Sequence, residues 1–461
     1  MKRPTLLGIL MLLLFLDPLG SQETTGQMIA LTNVTVIDGT GNDPKFQMVV
    51  LIEGERIRDL FRAGTRPLPP SATVMDFSGH YVIPGLINTH IHLTRLDQAG
   101  GRAHVERELR RMLYGGVTTI RDMNGDSRLL GGVERDLALE RIVGPEVYYA
   151  ALMAGQDFMA NDLRVARASV GYRPGEAPWQ LLVTPDTDPS AAVARASGTG
   201  AKGLKFYVGI DGAVMRAMSE AAHRMGLQVW AHATVFPDRP MEVLRANVDA
   251  VSHLGWLAWE DRDLEPSRNV PYTHTPRADP IPRIDPAVVQ ADSPEMMALF
   301  AEMAQRGTVL DATYSAVMVR ARGGSAGTTP RLATDPLVDL RRSLAIAARR
   351  AGVLFSTGTD YFTDQSEPFP SVFNEIEHLA ADVLSPAEAI TAATLNGARA
   401  IGIEDTHGTI ESGKFANLVV LTDDPTQNIR ALRSIVTVIK KGKLYSRSEY
   451  ELASGDKELS N

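Results

Sequence analysis

The chain has 461 residues, 44% hydrophobic and 22% charged, which is enough apolar material for a large packed core. Its net charge of −8 and pI near 5.7 provide no basic footprint for general nucleic-acid binding, so no nucleic-acid partner is expected. The absence of cysteine excludes disulfides, thiolate metal sites and lipid attachment through a thiol; a metal would have to be held by imidazole, carboxylate or a modified side chain.

In chain order, Lys2-Arg3 precedes an apolar run at 6–16 and then Asp17-Pro18-Leu19-Gly20-Ser21-Gln22. A bilayer span needs about 20 apolar residues, so residues 1–22 read as a signal peptide and the protein as exported, periplasmic or secreted. Pro18 or Leu19 stands where a cleavage site prefers a small residue, which keeps an uncleaved anchor as the alternative. No other long apolar segment occurs, so no integral membrane segment is expected in the mature chain.

Short β-rich runs follow at 28–38, 48–52, 57–60 and 74–77, separated by turn signals such as Asp38-Gly39-Thr40-Gly41-Asn42 and Glu53-Gly54-Glu55. Similar runs return at 414–421 and 435–444. Neither end could bury a core alone, so segments 27–80 and 403–450 are expected to form one small β-sandwich domain, with 451–461 as a tail. Between them, 81–402 alternates strand-like and amphipathic helical stretches, the pattern of βαβ units. Eight candidate strands lie at 81–92, 118–120, 147–150, 203–207, 228–232, 250–253, 308–311 and 353–356. The expected fold is α/β, a (β/α)8 TIM-like barrel with its site at the carboxyl ends of the strands.

That rule selects the polar residues. His90 and His92 end the first strand two residues apart, so both imidazoles face one side. Lys205, His232, His253 and Asp360 each fall at or just beyond the end of another strand. A lysine on an apolar strand is costly to desolvate and needs a salt bridge, a Schiff base or a changed charge, unless it merely reaches solvent at a frayed end.

Pro84-Gly85-Leu86-Ile87-Asn88-Thr89-His90-Ile91-His92 resembles the first-strand motif of the metal-dependent amidohydrolase superfamily, and Gly116-Val117-Thr118-Thr119-Ile120-Arg121-Asp122 resembles its second strand. Gly358-Thr359-Asp360, Leu384-Ser385-Pro386-Ala387-Glu388-Ala389-Ile390, Gly408-Thr409-Ile410-Glu411-Ser412-Gly413-Lys414 and Ala416-Asn417-Leu418-Val419-Val420-Leu421 are similar to the imidazolonepropionase-related branch, which includes Xaa-Pro dipeptidases. The resemblance runs from about Gln27 to Tyr445; Asn88 and Asn417 depart from it, each standing where the family commonly has Asp.

The resemblance implies two divalent ions, with Zn2+ the first choice. His90, His92 and Asp360 would hold one, His232 and His253 the other, and Lys205 would bridge them as a carbamate. It also implies an amide hydrolase in which two ions activate a shared water and polarise the carbonyl. Asp360 would carry the proton to the departing amine. Tyr207, two residues beyond Lys205, would face the same mouth and donate to the oxyanion or to a substrate carboxylate, unless it is simply a packed barrel tyrosine. The expected substrate is a small molecule or peptide, such as a dipeptide or N-acyl amino acid; a homo-oligomer is compatible with the sequence. Competing readings are a mononuclear cyclic-amide hydrolase or deaminase with Lys205 unmodified, a lactone or phosphoester hydrolase, and a non-enzymatic binding protein that should have lost ligands.

His80, His104, His223 and His407 are given no role, while His274 and His378 are candidates for substrate contact. The Pro-rich connection after His253 reads as a substrate lid in which Trp256, Trp259 and Tyr272 form an apolar wall and Arg277 or Arg283 pairs with a carboxylate, unless it is a surface flap packed against the barrel or a neighbouring subunit.

Overall fold

The computed structural model describes residues 27–261, 284–316 and 336–450. The expected signal peptide and tail, and Tyr272, His274, Arg277 and Arg283 of the expected lid, lie outside the described residues.

The chain opens with β1 (Met28–Val36), β2 (Lys45–Glu53), β3 (Arg56–Arg62), β4 (Thr73–Asp76) and β5 (Tyr81–Pro84). Next come β6 (Leu86–Ile91), β7 (Val117–Asp122) and β8 (Glu146–Ala154), a short hairpin of β9 (Glu176–Ala177) and β10 (Gln180–Leu182), and β11 (Gly203–Phe206). They are followed by β12 (Gln228–His232), β13 (Ala250–Ser252), β14 (Val309–Asp311) and β15 (Leu354–Ser356). At the end, β16 (Leu418–Leu421), β17 (Ile435–Lys440) and β18 (Lys443–Ser446) return to the first strands.

β16 pairs antiparallel with β5, which joins both ends of the chain into one connected sheet in the order β18-β17-β16-β5-β1-β2-β3, with β4 against β1. Along β1, Ile29 and Leu31 enter one apolar cluster and Ala30 another, so alternation covers both faces. The β-rich run at 435–444 forms a hairpin: Lys441 and Gly442 take φ of 47° and 74°, which turns the chain between β17 and β18.

β6, β7, β8, β11, β12, β13, β14 and β15 pair in parallel in that order. Backbone bonds from Thr89 to the Thr357 carbonyl (2.9 Å) and from Asp360 to the His90 carbonyl (2.9 Å) bring the last strand back to the first, making a (β/α)8 barrel. Amphipathic helices cover it; Gly212–Arg224 buries Met215, Met218 and Ala222, and Pro294–Arg306 buries Met296, Leu299, Phe300 and Met303. Asp188, Ser293 and Ser385 cap helices that each begin with proline, so the starts are written locally.

The barrel floor is apolar, built from Ala150, Trp230, Ala250, Val309 and Leu354. A Cβ on Gly203 would lie 2.9 Å from the Trp230 ring, so only glycine leaves the indole its place. Two residues further along the strands the side chains return to the same face. There the register aligns His232 with Ser252, Ser252 with Asp311 and Asp311 with Ser356, a polar row above an apolar floor.

Candidate functional site

The polar row and the ends of β6, β11 and β15 converge at the barrel mouth. One ligand atom each from His90, His253 and Asp360 lie within 4.8 Å of one another. His92 Nε2 is 3.1 Å and His90 Nε2 4.0 Å from Asp360 Oδ1. The His232 ring stands 4.4 Å from that of His253, centroid to centroid. Lys205 is 2% exposed and, among the described residues, has no hydrogen-bond or ion-pair partner.

Second partners orient three of the imidazoles. His90 Nδ1 meets Asp311 Oδ2 at 2.7 Å, His253 Nδ1 meets Thr313 Oγ1 at 2.9 Å, and His92 Nδ1 meets the Asn124 carbonyl at 3.3 Å. Each bond leaves Nε2 toward the mouth, the arrangement by which ligating histidines are held. His232 differs, because its buried Nδ1 has no hydrogen-bond partner. His253 and Asp360 also sit in left-handed backbone conformations, φ 73° and 56°, which cost energy in non-glycine residues and cluster at functional sites.

The electrostatics agree with this geometry. Burial pushes His232 and His253 well below the ordinary histidine range and His92 down to about 3, so these rings are neutral, the state in which imidazole ligates. Burial also brings the Lys205 ammonium down to about 7, populating the amine near neutrality. Burial alone would raise the Asp360 carboxyl, but Arg95, His92 and His90 hold it well below the usual carboxylate range. Neutral imidazoles, an ionised carboxylate and a buried, unpaired Nδ1 fit a divalent-metal centre.

Several residues of the mouth were not picked out from sequence. Asp311 is fully buried and also accepts from Ser252 Oγ (2.9 Å), Thr89 Oγ1 (3.2 Å) and Arg121 Nη2 (3.3 Å). It ends a candidate barrel strand, the same signal that selected His232. A Cβ on Gly358 would overlap its Oδ1 at 1.8 Å, so the closing segment must carry glycine there. Arg95, just after His92, donates from Nη1 to Asp360 Oδ1 at 3.1 Å.

Tyr207 reaches the mouth with its ring 4.1 Å from that of His232, and its hydroxyl receives a bond from Arg164 Nη2 at 3.3 Å. Trp256 meets His232 edge-on at 4.8 Å, whereas Trp259 is buried against Phe236 at 5.2 Å and is core rather than wall. His378 Nδ1 bonds the Asn374 carbonyl of its own helix, His223 pairs with Asp249, and His407 with Glu146. The two departures from the family pattern have local partners. Asn88 Nδ2 donates to Thr359 Oγ1, and Asn417 Nδ2 donates to Glu146 Oε2 while its Oδ1 accepts from the Lys441 amide.

Known proteins share this architecture. The chain is similar to the imidazolonepropionase of Symbiobacterium thermophilum, 31% identical over 124 residues, which are 26% of this chain and 27% of that protein. It is also similar to the imidazolonepropionase of Flavobacterium johnsoniae, 57% identical over 37 residues, 8% of this chain and 9% of that one. The matched stretches thus span less than a third of either relative. Among solved structures, a Xaa-Pro dipeptidase with bound methionine in its active site superposes with a TM-score of 0.66 at 20% identity, over 91% of this chain and 100% of that one. The ochratoxinase of A. niger gives 0.69 at 19% identity, over 92% and 96%. These likenesses establish the fold. A family model described as the amidohydrolase family matches residues 81–445, and the chain belongs to that family.

Proposed function

We propose that this protein is an exported, metal-dependent hydrolase of C–N amide bonds acting on dipeptides or N-acyl amino acids. The observation that carries the reading is the convergence of His90, His253 and Asp360, with His232 Nδ1 buried beside them and lacking a hydrogen-bond partner. His90, His92 and Asp360 would hold one divalent ion, His232 and His253 a second, and Lys205 would join them as a carbamate; zinc suits this nitrogen and oxygen set. Bound there, the ions supply Lewis acidity toward the substrate carbonyl and water acidified enough to attack it.

The protein's own groups do the remainder. Asp360, ionised and beside two imidazoles, is placed to take a proton from attacking water and return it to the leaving amine. Asp311 fixes the His90 ring, and the Tyr207 hydroxyl is a donor for developing charge or a substrate carboxylate. The trio of His90, His253 and Asp360 would also suffice for one ion, which favours a single-metal cyclic-amide hydrolase or deaminase as the second reading. The run at 6–16 behind Lys2-Arg3 supports export, and no described helix is long and apolar enough to cross a membrane.

A screen of metal-loaded protein on dipeptides and N-acyl amino acids, scored for amine release, tests the reading. Release from the panel is expected, and activity confined to cyclic amides or to deamination would favour the second reading.

A further inference from the structure

Glu375 is a fully buried carboxylate with no place in the chemistry above. It sits in the first turn of the helix Val372–Asp382, and each oxygen accepts one backbone amide: Oε1 from Tyr314 at 2.8 Å and Oε2 from Ser315 at 2.6 Å. Burial pushes its carboxyl up to about 7, so keeping it there carries a cost that the two amides only partly offset.

Those amides belong to the turn that leaves β14. Immediately before them, Thr313 has φ 45°, a left-handed conformation that a β-branched residue adopts only when its surroundings impose it. Glycine would hold that backbone without strain but has no hydroxyl, and it is the Thr313 hydroxyl that meets His253 Nδ1 at 2.9 Å. The same end of the helix reaches a further strained residue of the mouth, Asp360. Ser371 Oγ donates to the Tyr361 carbonyl at 2.8 Å and lies 3.2 Å from Thr359 Oγ1, so it touches both sides of Asp360.

We infer that Glu375 is a positioning residue of the metal centre: by clamping the Tyr314 and Ser315 amides it imposes the left-handed Thr313, whose hydroxyl orients His253. The inference rests on the proposed metal site, with His253 as a ligand. Its reach is 61 residues along the chain but only one loop in space.

The test titrates metal-free full-length protein with Zn2+ and, for its visible spectrum, Co2+, comparing wild type with Glu375→Gln, Thr313→Val, Thr313→Ser and the double variant Glu375→Gln/Thr313→Val. Loss of a partner behind a metal ligand typically weakens binding about 10- to 100-fold. Glu375→Gln and Thr313→Val should each do so with an altered Co2+ spectrum, Thr313→Ser should restore near-wild-type affinity, and the double variant should be no worse than the weaker single one. The inference is overturned if Glu375→Gln lowers the melting temperature while affinity and spectrum stay those of wild type, or if the two losses multiply. Should Glu375→Gln not fold, the Thr313 pair decides: equal affinity in Thr313→Val and Thr313→Ser overturns it. A wild-type chain that binds neither ion overturns the proposed function itself, and this inference with it.

Discussion

The barrel buries polar groups at both ends, but in opposite ways. At its base, the Glu146 carboxylate at the start of β8 accepts from His407 Nε2 (3.0 Å), Asn417 Nδ2 (3.1 Å) and Lys441 Nζ (2.8 Å), tying the barrel to the smaller sheet. That cluster is satisfied by the chain itself. At the mouth, Lys205 is buried at the end of an apolar strand, His232 Nδ1 is buried without a hydrogen-bond partner, and three flanking residues, His253, Thr313 and Asp360, are held in left-handed conformations. Buried polar groups are costly unless paired, so the base reads as a joint, whereas the mouth reads as a site whose partner comes from outside the chain.

The sharpest way to break this contrast is Lys205→Met. If the lysine serves the site, activity should fall on the order of 10⁴-fold, the scale on which removal of a catalytic group registers. Metal-free protein should meanwhile be as stable as wild type, or more so by about 1 kcal/mol, because an unpaired buried amine has been replaced by an apolar side chain. A large loss of stability in chemical denaturation would show that Lys205 is structural.

Asp311→Ala should combine both penalties. It frees the His90 ring and leaves the buried Arg121 uncompensated, which costs about 3–5 kcal/mol. Metal affinity should drop about 10- to 100-fold. A variant with full stability would mean that Arg121, whose Nη1 also donates to the Ala400 carbonyl at 2.7 Å, needs no carboxylate.

At the base the expected effect is smaller and independent of metal. Although burial alone would raise it, bonds from His407 and Lys441 hold Glu146 down to about 2 against an ordinary 4.5. A depressed carboxyl stabilises the fold above its unfolded pKa, so this contribution is whole above about pH 4.5 and drains away as pH falls toward 2. Glu146→Gln should therefore leave the proposed amide hydrolysis unchanged near neutrality, lower stability by about 1 kcal/mol after screening at the partly exposed Lys441, and flatten the dependence of the urea midpoint between pH 5 and 2. An unchanged slope in that window would remove Glu146 from the pH response.

Asn417→Asp should have the mildest effect. Restoring the family's usual residue sets a carboxylate against Glu146, and at an effective dielectric of about 20 that repulsion, offset by Lys441, should cost about 1 kcal/mol. A more stable variant would show that the nearby lysine outweighs the repulsion.

What the sequence made legible, and what it did not, follows the same divide. The eight barrel strands stand out because strands buried on both faces are near-continuous apolar runs, and His90, His92, Lys205, His232 and His253 stand out because they interrupt those runs at their ends. Asp311 was harder to see, because a carboxylate ending a strand looks the same whether it meets solvent or a histidine 221 residues away. Thr313 and Glu375 carry no local signal at all, since one is defined by a backbone angle and the other by two amides in a distant loop. The β-rich run at 435–444 does not show on its face that it folds into the hairpin of β17 and β18, because Lys441-Gly442 is only a two-residue turn within it.

The most direct measurement is a crystal structure of zinc-loaded protein with an anomalous difference map at the zinc edge. Two peaks are expected at the barrel mouth, one against His90, His92 and Asp360 and one against His232 and His253, with extra density on Lys205 Nζ reaching both. A single peak with Lys205 as a plain amine, or no peak at the mouth, would contradict the two-metal centre.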